Sequence, residues 1–373
     1  MKPKFSGFNQ DSLQSADLHG IHRCGRKQNG LPVLHPSEMQ STYFLDRESE
    51  DVRRYYSIEE GTRMKRILTM TSTCVMAVAL SGGLAKAQPV NEPVSKTCRE
   101  GPRERETEIQ KIEPFKVFDN LYHVGPCYVS AWILTTPQGD IMFDSAQEPF
   151  VDKVIDNIKK VGVKLGDIKY IIINHGHIDH AGGAARLKEF TGARVVAAPE
   201  DWSMIEALNG RPNNRDAGKA TVTPKRDMEV REGDHLDLGD QHLIIHTAPG
   251  HTPGNLFIEG LLLKDGAQTY KGIWGGGGVG APGLEGAKQG VINAQKLMAV
   301  RGVQVYLMTH SWQPPDGYPG GGILERSKLL ATRKPGDPHP FVDPASWEAR
   351  AKQSLETAQK VLAQEQAKAA AAQ

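Results

Sequence analysis

The residues best suited to chemistry form the hexapeptide HGHIDH at positions 175–180, directly after a short apolar run. A catalytic zinc site uses histidine nitrogens or carboxylate oxygens as three protein ligands and leaves one position open to water. His175 and His177 are separated by one residue in an extended segment, so their side chains point the same way and are predicted to share one metal ion. Asp179 and His180 point to the adjacent side and suit a second metal ion.

The ligand that each metal ion still lacks is expected at the end of a strand elsewhere in the chain. His251 lies in the turn PGHTPG, whose prolines and glycines hold one imidazole rigidly outward, and it would complete the first site. His310 ends the strand-like run 303–310 and would complete the second site. His339 is the rival to His310 but lies in a proline-rich loop. A lone histidine is more often a hydrogen-bonded structural residue, and this is the interpretation for His123, His242 and His246.

Two zinc ions held in this way would lower the pKa of a bound water to about 7, so that a metal-bound hydroxide could attack a carbonyl carbon. Asp179 would both ligate a metal ion and orient this nucleophile. Asn255, just after the His251 turn, would polarise the substrate carbonyl, with stabilisation of the turn as the alternative. The glycine-rich run 275–280, next to Trp274, would form one wall of the cleft, with a flexible loop as the alternative.

Short strands and amphipathic helices must position these side chains. Strand-like runs are predicted at 121–124, 129–134, 140–144, 170–173, 195–198, 228–230, 236–238, 243–247, 270–278 and 303–310. Helical spacing of apolar residues predicts helices at 151–161, from 181 onward, at 290–300 and at 345–373. Two halves that each combine strands with helices favour two sheets packed face to face with helices outside, which is a four-layer α/β fold.

The metal-binding domain is predicted to span residues 113–344. Residues 88–112 are polar and charged and are interpreted as an N-terminal arm or linker. Residues 345–373 carry one apolar stripe and are predicted to form a docked C-terminal helix with a frayed, alanine-rich end.

The N-terminal part has the pattern of an export signal that begins late in the chain. Residues 64–87 combine Met-Lys-Arg, an apolar stretch and the small-residue site AKA, which is typical of a signal peptide cleaved before Gln88. Two glycines interrupt the stretch, and it is shorter than the roughly 20 apolar residues of a membrane anchor. Residues 1–63 are interpreted as an upstream leader, with Met64 as the natural start. The protein is therefore expected in the periplasm or secreted, without stable membrane association.

The cysteines indicate the redox environment of the protein, and its overall charge indicates the kind of partner. Cys24 and Cys74 would be absent from the exported protein, which leaves Cys98 and Cys127 in an oxidising compartment where a disulfide is permitted. A disulfide and a plain buried thiol at Cys127 are both open. A net charge of +1 gives no electrostatic case for nucleic acid or an anionic membrane surface, so the expected partner is a small-molecule substrate.

The hexapeptide and the turn GHTPG at 250–254 resemble the metallo-β-lactamase superfamily, and the resemblance covers residues 115 to about 310. It implies the αββα sandwich of that family. It also implies the ligand sets, with one zinc ion on His175, His177 and His251 and another on Asp179, His180 and His310.

Many hydrolases of this superfamily, including glyoxalase II, lactonases and RNA nucleases, carry an aspartate that bridges the two metals. Here the equivalent strand ends in glycines, and the only aspartate between His251 and His310 is Asp265, in the turn Lys-Asp-Gly. The chain is therefore most similar to the β-lactamase subclass whose second metal is held by Asp, His and His. That subclass uses serines after the bridging position to seat the β-lactam carboxylate, whereas this chain has glycines there.

Three hypotheses follow from these residues. The first is an exported zinc hydrolase that acts on a β-lactam, a cyclic amide. The second is a hydrolase with the same site that acts on a lactone, an ester or a xenobiotic. The third is a metal-binding protein without catalysis, which would require an additional ligand in the open coordination position, and the sequence supplies none.

Overall fold

The computed structural model describes Cys98, residues 107–311 and residues 322–371. The chain divides into two units, 1–85 and 86–373, and every described residue belongs to the second. The predicted leader at 1–63 and signal peptide at 64–87, with Cys24 and Cys74, lie outside the described residues.

The described strands and helices follow the order expected of an α/β protein. The strands are β1 (Phe115–Phe118), β2 (Leu121–His123), β3 (Trp132–Thr136), β4 (Gly139–Phe143), β5 (Ile168–Ile172), β6 (Arg194–Ala197), β7 (Pro212–Asn213), β8 (Lys219–Ala220), β9 (Met228–Glu229), β10 (His235–Leu238), β11 (Gln241–Thr247), β12 (Leu256–Asp265), β13 (Gln268–Gly275) and β14 (Val305–Leu307). The helices are α1 (Thr107–Gln110), α2 (Val151–Lys160), α3 (Ile178–Ala181), α4 (Ala184–Thr191), α5 (Pro199–Leu208), α6 (Gly283–Ala299), α7 (Ile323–Thr332) and α8 (Pro344–Ala371).

The first sheet has the strand order β1-β2-β3-β4-β5-β6-β9. Strands β1 to β4 pair antiparallel, as the predicted meander requires, whereas β4, β5, β6 and β9 pair parallel. Parallel neighbours need crossover connections, and α2 forms one between β4 and β5. The apolar side chains that predicted this helix, among them Val154 and Ile158, are fully buried. The carboxyl ends of β4, β5 and β6 therefore meet at one edge of the sheet.

The second sheet has the strand order β10-β11-β12-β13-β14. Its first four strands pair antiparallel, and β14 joins β13 in parallel after the crossover helix α6. Strand β12 was not predicted, although its hairpin turn with β13 was. Helices α5 and α7 were also not predicted.

Two clusters of buried apolar side chains hold the four structural layers together. One cluster joins the facing sides of the two sheets, with Phe143 of β4 packed against Trp274 of β13 at a ring separation of 4.9 Å, and it continues to Leu297 of α6 and Trp347 of α8. The other lies between the outer face of the first sheet and helices α2, α4 and α5, and it includes Trp202. The predicted four-layer αββα sandwich is confirmed.

The C-terminal helix α8 packs against α6 and β14. The Trp347 indole donates a hydrogen bond to the Val300 carbonyl at 3.2 Å, and Ala351 and Ala358 are buried on the same face. Helix α8 continues through Ala371, as the high intrinsic helix propensity of alanine favours, and the frayed end stays a prediction. None of the described helices has the length and apolar character needed to cross a membrane.

A disulfide joins Cys98 to Cys127, which decides between the two alternatives left open by the sequence. Short helix α1 lies against the same segment, where the Gln110 carbonyl accepts from the Cys127 amide at 3.0 Å. The Gln110 side chain accepts from the Tyr128 amide at 2.8 Å. The described end of the predicted arm is therefore docked on the segment around residue 128.

Candidate metal centre

The hexapeptide begins after β5 and brings His175 and His177 beside His251, from the loop that follows β11. The His175 ring is buried, and its Nε2 faces His177 Nδ1 at 3.1 Å. The His251 ring centroid lies 4.6 Å from each of the other two. One candidate ligand atom from each of the three side chains lies within 4.8 Å of the others. These are the three histidines predicted to share the first metal ion.

A second group adjoins the first, because helix α3 starts within the hexapeptide and carries Asp179 and His180. Ligand atoms of His175, Asp179 and His180 lie within 4.8 Å of one another. His310, just after β14, places its Nε2 3.1 Å from His180 Nε2 and 3.7 Å from Asp179 Oδ2. The structure thus brings all six predicted ligands together, with His175 at the junction of the two groups.

The donor atoms of these residues fit zinc. Imidazole nitrogens and a carboxylate are the ligands of catalytic zinc sites. Two nitrogens bound tetrahedrally to one zinc ion at 2.0–2.1 Å lie roughly 3.3 Å apart. The separations of 3.1 Å between His175 and His177, and between His180 and His310, are close to that value.

Neighbouring side chains fix which ring nitrogens face the centre. Nδ1 of His175 contacts Oδ1 of Asn174 at 2.7 Å, and Nδ1 of His180 contacts Oδ2 of Asp144 at 2.7 Å. Each Nε2 is therefore directed inward. Such partners typically set the tautomer and orientation of metal-binding histidines.

Asp144 was not identified from the sequence as a site residue. It follows β4 directly, is fully buried, and adopts a left-handed backbone conformation with φ 59°. Its Oδ1 accepts from the Asn174 amide at 2.8 Å, so the carboxylate joins the ends of β4 and β5. A carboxylate directly after a buried strand is the signal that could have indicated it.

Asp201, also not identified, joins the two loops that carry the first ligand group. It lies fully buried in α5. One carboxylate oxygen accepts from the Gly176 amide at 2.8 Å and from the Thr252 hydroxyl at 2.7 Å, and the other accepts from the Gly254 amide at 2.7 Å. Asp201 thereby fixes the separation between the hexapeptide and the His251 turn.

The electrostatics of the cluster divide its members into charged and neutral groups. Burial acts to raise the pKa of Asp179, but the charges of His180 and His310 above all outweigh it and hold the pKa at about 2. Burial acts to lower the pKa of His180, but Asp179 and Asp144 outweigh it and raise the pKa to about 9. Burial and the charge of His180 lower the pKa of His310 to about 3. In the metal-free protein His180 therefore carries a proton that a metal ion must displace.

Asn255, predicted to act on the substrate, is fully buried. Neither the nitrogen nor the oxygen of its side-chain amide has a hydrogen-bond partner among the described residues. Its main-chain carbonyl accepts from the Ala248 amide at 2.8 Å. The main chain of Asn255 therefore closes the His251 turn, and a catalytic role for its side chain stays a prediction.

The glycine-rich run has defined contacts on both sides. The Gly278 carbonyl accepts from the His251 amide at 3.1 Å, and the Gly277 carbonyl accepts from Arg350 of α8 at 2.7 Å. The loop is therefore tied to a ligand-bearing turn and to the C-terminal helix. Trp274, next to this run in sequence, is fully buried between the sheets.

Three other histidines have polar contacts outside the ligand groups. His339, the rival to His310, contacts the Val117 carbonyl through Nε2 at 2.9 Å. His242 contacts Asp237, and His246 lies between Glu232 and Glu259, in agreement with their interpretation as hydrogen-bonded residues. His123 stacks on Phe115, but both of its ring nitrogens are buried without a hydrogen-bond partner among the described residues, so it differs from that interpretation.

The end of β13 contributes no carboxylate to either group of candidate ligands within the described ranges. Asp265 pairs with Arg333 at 2.8 Å in the hairpin between β12 and β13. An aspartate bridging two metal ions is therefore absent from the described part of the centre.

The fold and the paired ligand groups define the class of protein as that of the metallohydrolases. Residues 124–263 match the sequence pattern of the metallo-beta-lactamase superfamily. The chain is 32% identical in sequence to BJP-1, a subclass B3 metallo-beta-lactamase of Bradyrhizobium japonicum, with a TM-score of 0.56 over 69% of this chain and 96% of that one. The native FEZ-1 metallo-beta-lactamase of Legionella gormanii is 28% identical, with a TM-score of 0.57 over 68% of this chain and 97% of that one. The chain belongs to the metallo-β-lactamase superfamily.

A second type of relative is a lactonase. An N-acyl homoserine lactonase of Bacillus thuringiensis is 31% identical over 127 residues, which are 34% of this chain and 45% of the relative. The chain spans about half the length of the curated relatives it matches. The family is thus established, and the substrate is a separate question.

Proposed function

We propose that this chain is a zinc-dependent hydrolase that binds two zinc ions and acts on a small-molecule cyclic amide of the β-lactam type. The observation that carries the proposal is the convergence of six nitrogen and oxygen donors into two adjoining groups. His175, His177 and His251 would hold one zinc ion, and Asp179, His180 and His310 would hold the other.

When bound, zinc would lower the pKa of a coordinated water to about 7 and polarise the substrate carbonyl. Asp179 remains ionised at neutral pH because its pKa is about 2, so its carboxylate can accept a hydrogen bond from the attacking water and orient it. Asp144 keeps Nε2 of His180 directed inward through its contact with Nδ1. These side chains thus supply orientation as well as ligands.

Two observations favour a β-lactam over a lactone. The similarity to the metallo-beta-lactamases BJP-1 and FEZ-1 extends over nearly their full length, whereas the similarity to the lactonase covers less than half of that protein. The bridging aspartate expected of lactonases has no counterpart at the end of β13 in the described part of the chain. Lactone hydrolysis is the second candidate because the chain is 31% identical to the lactonase over 127 residues.

The test is turnover by the purified, zinc-loaded protein. We expect hydrolysis of nitrocefin or a carbapenem with kcat of roughly 1 s⁻¹ or more, in the common range for enzymes. Chelation of the metal should abolish turnover, and added zinc should restore it. No hydrolysis of either compound at micromolar enzyme would rule out β-lactam activity. Parallel assays with an N-acyl homoserine lactone would then reveal the second candidate activity.

We further propose that the protein is exported, with residues 64–87 as a cleaved signal peptide. The disulfide between Cys98 and Cys127 supports export, because disulfides persist in oxidising compartments. Mass spectrometry of the protein recovered from the periplasm or the medium should find Gln88 as its first residue. Peptides from before Met64 would contradict the proposed start.

A further inference from the structure

Arg215 presents a guanidinium near the metal centre without an acidic partner. No carboxylate of the described residues lies within 4.0 Å of its nitrogens, and neighbouring Asp216 pairs instead with Lys219 at 3.0 Å. Nη1 of Arg215 is buried and has no hydrogen-bond partner in the described part of the chain. A buried, unpaired charged donor is costly, so this arrangement calls for an explanation.

The backbone around Arg215 is held in place. The Asn213 side chain accepts from the Arg215 amide at 2.9 Å and donates to the Glu148 carbonyl at 3.0 Å. The Asn213 carbonyl accepts from the Gly218 amide at 2.9 Å, which closes the turn between β7 and β8. The backbone from which the Arg215 side chain extends is therefore held in a defined position.

The side chain of Arg215 reaches toward the metal ligands across one aromatic ring. Its guanidinium carbon lies 4.8 Å from the centre of the Tyr128 ring, in a cation–π arrangement. The Tyr128 ring lies 4.8 Å from the His310 ring, and the Tyr128 carbonyl contacts Nδ1 of His310 at 3.2 Å. The positive charge also acts on the Asp179 carboxylate. Arg215 is thus close to the metal centre without being a ligand.

The glycine-rich run 275–280 has no side chain at Gly276 or Gly277 that could bind an anionic group of a substrate, and the loop leaves no room for one. A Cβ atom at Gly276 would collide with the Thr309 side chain. Gly277 has φ 91°, and a Cβ there would lie 2.6 Å from Asn255 Oδ1. Side chains at these two positions would therefore require rearrangement of the loop.

We propose that Arg215 is a specificity-determining residue that binds a carboxylate on the substrate held at the metal centre. The planar guanidinium can donate two parallel hydrogen bonds to a carboxylate, and its contact with the Tyr128 ring restricts its position. A carboxylate a few bonds from the scissile carbonyl would match this position. The proposal rests on the proposed hydrolytic function of the same centre.

Binding of small thiols to the cobalt-substituted protein tests the role of Arg215 without turnover. The probes are 3-mercaptopropionate, which carries a carboxylate, and 2-mercaptoethanol, which does not. Their binding is read from the thiolate-to-cobalt absorption band. We expect the native protein to bind the anionic thiol about tenfold more tightly, in line with one hydrogen-bonded ion pair.

Three variants separate the guanidinium from general effects of charge. Arg215→Ala should lose the preference for the anionic thiol, and Arg215→Lys should retain part of it because the charge remains without the planar fork. Arg211→Ala, at an exposed position just before β7, should keep the full preference. A preference that persists in Arg215→Ala would overturn the proposal.

Kinetics supply the second readout. With nitrocefin, Arg215→Ala should raise KM about tenfold and change kcat less, because the contact acts on binding. The nitrocefin methyl ester should be affected little. A charge preference without hydrolysis would contradict the proposed function but support the role of Arg215. Hydrolysis without a charge preference would support the proposed function but contradict the role of Arg215. A protein that binds neither thiol would contradict both proposals.

Discussion

The Asp201→Ala variant is expected to lose about 4 kcal/mol of unfolding free energy together with most of its zinc affinity. The carboxylate accepts from two backbone amides and the Thr252 hydroxyl, all away from solvent. Each buried donor left without an acceptor costs about 1–3 kcal/mol. The same change releases Gly176 from Gly254, so His175 and His251 would no longer be held at one separation. Chemical denaturation and zinc titration measure the two effects.

Two further variants make the result specific. Asp201→Asn keeps the volume and one acceptor oxygen, so it should fall between alanine and the native protein. Asp140→Ala removes another mostly buried carboxylate, at the opposite end of β4 from Asp144, and should leave zinc affinity unchanged. Native zinc affinity in Asp201→Ala would show that the two loops hold their positions without this carboxylate.

The sequence predicted the ligands well because their signals are local. Four ligand side chains occur within the six residues 175–180, and the backbone geometry of a strand and a short turn decides where they point. His251 and His310 could be proposed because each lies within a few residues of the end of a strand. In a sandwich of two sheets, strand ends are the places where distant side chains meet.

The supporting residues escaped prediction because their partners are distant in sequence. Asp144 is 36 residues from His180, and Asp201 is 51 residues from Thr252. An aspartate at the end of a strand or in a helix is ordinary by itself, and only the folded chain brings it to a ring nitrogen or an amide. Helix α5, which carries Asp201, also has a weak sequence signal because apolar and polar residues are not cleanly separated around it.

Strand pairing, too, could be predicted from sequence only where it depends on neighbouring residues. The turn between β12 and β13 could be placed, because Lys264, Asp265 and Gly266 favour a reversal of the chain, although β12 itself was not predicted. The parallel pairing of β13 with β14 depends on helix α6 returning the chain across the sheet. Apolar patterns alone do not specify which strand that crossover places next to β13.

The His177→Ala variant is expected to bind one zinc ion in place of two and to lose at least about 100-fold in turnover. Changes to residues that only support metal ligands cost 10–100-fold, so the loss of a ligand should cost more. His177 is half-buried at the rim of the centre, and its removal leaves both apolar clusters intact. The metal-free variant should therefore unfold at the same denaturant concentration as the metal-free native protein. Metal analysis after gel filtration, with turnover assays, measures the effect.

His242→Ala is the matched control for this experiment. His242 is exposed on β11 and contacts Asp237, away from both ligand groups, so this variant should keep two zinc ions and native turnover. The comparison distinguishes a metal ligand from a histidine that merely lies in the same domain. If His177→Ala retained two zinc ions, His177 would not be a ligand. The first group would then have only His175 and His251, one short of the three protein ligands that catalytic zinc requires.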